Sequence, residues 1–146
     1  MSNGFTNGHE FNAQLTQFAR KIQVAPQKVV KKVAFQLFRR IIEKTPVDTG
    51  RARASWNIAI GSINPAVAPE GQHPKSPNAL AAKAATVLTS YGADGRLPVV
   101  WISNNLPYIG ELENGHSQQA PAGMVGLSIA EEQAAFDLAW REAMSR

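Results

Sequence analysis

Apolar residues recur at helical spacing in the first third of the chain and at strand spacing beyond it, and the change falls at Thr45-Pro46. Phe11, Leu15, Phe18 and Ile22 follow i, i+4, i+7, i+11, which predicts an amphipathic helix over about 9–22. Val24-Ala25-Pro26 interrupts it, and Pro26 suits the first turn of a second helix over about 26–44. That helix carries Val30, Val33, Ala34, Leu37, Phe38, Ile41 and Ile42 on one broad face, which makes it a principal core element. Pro46 disfavours helical dihedrals at Thr45 and lacks an N–H, so the helix should stop near Lys44. Asp48-Thr49-Gly50 then supplies short polar side chains and a residue free to take positive φ. The stretch from Pro46 to Ser55 reads as a rigid elbow from helix into strand. Beyond it Ala52, Ala54, Trp56, Ile58 and Ile60 alternate with Arg53, Ser55, Asn57 and Ala59, predicting a half-buried strand that ends near Gly61, with Trp56 in the core.

Residues 62–77 hold Pro65, Pro69, Pro74 and Pro77 and cannot form a central strand or helix interior. A loop of that length inside a compact domain is usually functional or disordered. His73 lies in it and is expected to be solvent-exposed. Ser76-Pro77 matches an N-cap followed by proline, so the alanine-rich stretch 78–90 is expected to be a helix ending near Gly92. Leu97 to Ser103 reads as a second strand weakened by Pro98, and Tyr108 to His116 as a one- to two-turn helical segment stopped by Gly115. Residues 122–127 suggest a further strand. Ser128 and Glu131 match a capping box, opening a last helix over about 129–144 with Ile129, Gln133, Phe136, Trp140 and Met144 on one stripe. These elements predict an α+β fold in one domain, a small antiparallel or mixed sheet packed by a long helix of the N-terminal half and a C-terminal helix. Residues 1–8 are expected to be flexible.

Composition narrows the picture further. The absence of cysteine excludes disulfides, thiolate metal sites and thiol nucleophiles. No apolar run approaches the roughly 20 residues that span a bilayer, and the N-terminus lacks the basic-then-apolar order of a secretory signal, so no membrane partner is expected. The net charge of +4 is uneven: residues 1–60 hold ten Lys/Arg against three Asp/Glu, and residues 61–146 hold five against eight. A dipolar chain of this kind favours head-to-tail contact between copies or places a basic face on nucleic acid. Lys28, Lys31, Lys32, Arg39 and Arg40 form the candidate basic face on the second helix, against the simpler reading of a solvated surface.

Candidate chemistry is sparse. His9, His73 and His116 are far apart in sequence, with no HxxxH, HExxH or DxD arrangement, so no metal or cofactor is expected. Glu111 and Glu113, two apart, do not share a helix face and read as solvent-facing or interface groups. No glycine-flanked serine elbow and no phosphate-binding glycine loop is present.

Two patches carry a resemblance. Thr45-Pro46-Val47-Asp48-Thr49-Gly50-Arg51 with Arg53-Ala54-Ser55-Trp56, and then Tyr108-Ile109-Gly110-Glu111-Leu112-Glu113-Asn114-Gly115-His116 leading into Ala120-Pro121-Ala122, resemble in order and spacing the tail-completion or neck proteins of long-tailed bacteriophages. Members of that family show a long helix, a P-x-D-T-G-x-L-x-x-S-like turn into a strand, and a later tyrosine before a short segment closed by a glycine turn. Here Arg51 and Arg53 bracket the position where leucine is frequent, and Met124-Val125 stands where proline-phenylalanine is usual. The stretch 62–92 looks like an insertion relative to shorter members.

The resemblance implies a non-enzymatic virion subunit at the head-proximal end of the tail, forming a ring, with six copies the expected number. Its implied partners are further copies of itself, the tail tube protein and head-completion or connector proteins, with passive contact to passing DNA. Candidate interface residues are Tyr108, Glu111, Glu113, Gly115, Pro65, Pro69 and His73. The rival readings are a DNA-binding accessory protein that uses the basic face and, behind it, a hydrolase built on His116 and Glu113.

Overall fold

The computed structural model describes residues 8–145, so the expectation for residues 1–8 lies outside the described residues except at Gly8, which opens the first helix. Elements follow in the order α1 (Gly8–Ile22), α2 (Pro26–Lys44), α3 (Arg51–Ala54), β1 (Trp56–Ile60), α4 (Pro77–Leu88), β2 (Val100–Asn104), α5 (Ile109–Glu113) and α6 (Val125–Met144). The fold is α+β, with the two strands paired antiparallel in the register Trp56↔Asn104 to Ile60↔Val100.

Helix α2 is the axis of the molecule. Pro26 sits in its first turn, and Thr45, extended at φ −75° and ψ 130°, ends it before Pro46. Its core face meets β1, β2 and α4 in a cluster that includes Phe38, Ile42, Trp56, Ile58, Leu88 and Met124. Small residues Ala81 and Ala84 let α4 lie close, and the Ser76 hydroxyl accepts the Ala79 N–H at its start. A second cluster of Leu15, Ala19 and Val29 fastens α1 to α2.

Five expectations about the elements are corrected. The first is the strand expected from Ala52: Gly50 adopts φ 86°, and Arg51–Ala54 complete a helical turn, with Ala54 N–H bonded to the Gly50 carbonyl, before β1 begins at Trp56. The second strand begins at Val100 rather than Leu97, because Pro98 cannot donate to a ladder.

Residues 122–127 form no strand, and α6 begins at Val125 because its free N–H groups find a partner outside the helix. The Ser128–Glu131 capping box does not form. Ser128 is buried within α6, its hydroxyl unpartnered among the described residues, and Glu131 instead pairs with Lys44 and Arg40. The buried line of α6 is Ser128, Glu132, Phe136 and Ala143, which shares only Phe136 with the expected stripe and leaves Ile129 and Met144 exposed. Two polar residues turned inward mislead a reading based on hydrophobicity alone.

Candidate functional site

The elbow is held by side chains that reach across it. Thr45 Oγ1 donates to the Ile41 carbonyl at 2.7 Å and accepts from Trp56 Nε1 at 2.9 Å, so a buried hydroxyl joins the helix end to the strand start. Arg53 donates from Nε to the Thr45 carbonyl at 2.8 Å and from Nη2 to the Glu43 carbonyl at 3.1 Å. These carbonyls are among those a helix leaves unsatisfied at its C-terminus, where a cation is favoured. The guanidinium also takes the Lys75 carbonyl at 2.7 Å and so ties in the proline-rich loop.

That loop is strapped along the elbow and β1. Arg51 Nε donates to the Ala68 carbonyl, Ala68 N–H to the Ser55 hydroxyl, and His73 N–H to the Thr49 carbonyl. Asn57 donates to the Asn64 and Ala66 carbonyls, which explains why Asn57 is buried although strand alternation points it away from the core. Pro65 and Pro69 are exposed, while His73 is half-buried rather than exposed, its ring bonded to the Pro69 carbonyl.

The segment after β2 closes the site from the other side. Gly115, at φ 85°, turns the chain where a Cβ would strike the Pro121 carbonyl. Glu113 swings its carboxylate onto the start of α6. Oε1 accepts the Met124 and Val125 N–H groups at 2.9 and 2.8 Å, and Oε2 accepts Gly126 N–H at 3.0 Å. Desolvation pushes its pKa up, but the three backbone donors outweigh it and hold the carboxyl below the ordinary range. Both oxygens are thereby engaged by backbone donors of α6, and no hydrogen bond joins Glu113 to His116 among the described residues.

Between these walls lies a cleft of about 520 Å³. Pro46, Asp48, Thr49 and Gly50 form one side, Tyr108 and Leu112 the other, and Glu70 of the loop its rim. The two patches singled out in the sequence, separated by more than fifty positions, therefore share one surface feature. Gln119 completes it, its amide accepting Val47 N–H at 2.8 Å and donating to the Val47 carbonyl at 3.3 Å. Gln119 and Glu70 carry no local sequence signal, since each acts only through a chain segment distant in sequence. Among the described residues no group of three or more His, Cys, Asp or Glu could hold a metal ion, and no helix is long and apolar enough to cross a membrane.

The candidate basic face is divided rather than continuous. Arg40 pairs with Glu132 at 2.9 Å and Glu131 at 3.1 Å, Arg39 with Glu43 and Asn78, and Lys31 with the Thr89 carbonyl. Lys28 and Lys32 alone of the five are exposed, and neither side chain has a partner among the described residues.

A protein-family model described as "Bacteriophage HK97-gp10, putative tail-component" matches residues 9–115. Comparison with curated proteins and with solved structures finds no match.

Proposed function

The chain belongs to the HK97-gp10-like family of bacteriophage tail components, and from that premise we propose that it is a non-enzymatic ring subunit of the phage neck. In this reading it completes or terminates the tail and docks it to the head, within the virion. The observation that carries the proposal is the convergence of the elbow and the Tyr108–Gly115 segment on one exposed cleft. The cleft's walls are fixed by backbone-directed hydrogen bonds, as a surface that must present one shape to a neighbouring protein requires. Its neighbours are other copies of the chain, the tail tube protein and the head-completion or connector proteins, and DNA passes without being read.

Head-to-tail contacts that close by rotation yield a ring. Light scattering across a concentration series should therefore give a discrete closed oligomer, about sixfold, alone or once the tail tube partner is added. A mass that grows without limit, or a monomer even with tail tubes present, overturns the ring. A direct test of the role is tail assembly with a Gly50→Val chain, which distorts the cleft; tails of normal length that still join heads would remove the cleft from the function.

A further inference from the structure

The ring reading leaves open which surfaces of two copies meet, and the charges left unpaired by the fold point to an answer. Helix α2 is 19 residues long, about 28 Å at 1.5 Å per residue. Toward its C-terminal end the cations Arg39, Arg40 and Lys44 are neutralised within the chain by Glu43, Glu131 and Glu132. Its N-terminal end presents the unpartnered Lys28 and Lys32, and beside them opens an apolar groove of about 450 Å³ between α1, α2 and α6, walled by Phe18, Val29, Val33 and Phe136. Beyond its C-terminal end stand Asp48, Glu70 and Glu111, all exposed and without a side-chain partner among the described residues. Tyr108, 40% exposed, lies at the cleft edge one turn before Glu111. Arg51 also lines this cleft, but its Nε is committed to the Ala68 carbonyl.

We propose that the acidic end of one copy, with Tyr108 at its centre, docks into the lysine-rimmed groove of a second copy. The occupant follows from complementarity: an exposed aromatic side chain on a cleft lined by Asp48 and Glu70, with Glu111 one helical turn on, matches an apolar groove whose free rim charges are two ammonium groups. The two surfaces lie at opposite ends of α2, so the contact is heterologous and propagates head to tail, as a ring demands. This inference deepens the ring proposal and rests on it.

The chain contains no cysteine, so introduced pairs report contacts cleanly. A Ser117→Cys, Gln36→Cys double variant, with one thiol at each surface and Tyr108 kept, should oxidise into a ladder of disulfide-linked copies that stops at the ring number. Adding Lys28→Glu and Lys32→Glu should reduce the ladder at least tenfold, and adding Asp48→Lys and Glu70→Lys to that chain should restore it. A ladder that runs on without closing would keep this contact and sink the ring. A closed wild-type oligomer by light scattering, with no ladder or one indifferent to charge reversal, would overturn this contact and leave the ring standing. A wild type that stays monomeric even with tail tubes present, with no ladder, overturns both.

Discussion

The Glu113 carboxylate accepts the backbone N–H of Val125 at 2.8 Å, so the cap of the last helix comes from a residue twelve positions upstream and outside that helix. The same side chain takes the Met124 and Gly126 N–H groups, which turns the segment that walls the cleft into the anchor of α6. The candidate interface and the stability of the C-terminal helix are therefore coupled.

Glu113→Ala should cost about 1–2 kcal/mol, the range of a lost N-cap with charge-assisted bonds, and expose the cleft segment to proteolysis. Because the folded pKa lies below the ordinary value of 4.5, the stabilisation is fully present above that value and is lost as pH falls through the folded pKa. Urea melts between pH 3 and pH 7 should show a steeper loss of stability below about pH 4.5 for the wild type than for Glu113→Gln.

Ser128 offers a test with opposite signs. As a cap it would cost about 1 kcal/mol to replace by alanine. As a buried hydroxyl without a partner, its removal should be neutral or stabilising by up to about 1 kcal/mol. A Ser128→Ala melting temperature at or above that of the wild type bears out the geometry, and a drop of several degrees refutes it.

Glu132 is buried and paired with Arg40 at 2.9 Å. Arg40→Ala should cost about 2–3 kcal/mol, because it strands a carboxylate in the interface between α2 and α6. The apolar pair Arg40→Met with Glu132→Leu should return to within about 1 kcal/mol of the wild type. Chemical denaturation of the single and double variants separates the worth of the pair from the penalty of breaking it.

Gly50 and Gly95 both have positive φ, 86° and 84°, but only at Gly50 would a Cβ meet the His73 carbonyl oxygen, at 2.7 Å. Gly95→Ala should cost about 1 kcal/mol from backbone strain, and Gly50→Ala at least about 2 kcal/mol, since the proline-rich loop must also shift. Thermal melts of the two variants give the comparison directly.

The long helix and its stop at Lys44, the N-cap at Ser76, the short helix after Tyr108 and the glycine turn at Gly115 were legible in the sequence. Each rests on signals within a few residues: apolar period, proline's missing N–H, a hydroxyl beside a helix start. Tertiary structure decided what those signals left open. It began α6 at Val125 because Glu113 supplies the donors' partner from another element, and it buried Glu132 because α2 presents Arg40 opposite it. It also folded the loop onto β1 through Asn57, and it brought Asp48 and Tyr108 into one cleft. Periodicity records which face of an element is apolar, whereas a polar group turned inward is stabilised only by a partner that the fold brings to it.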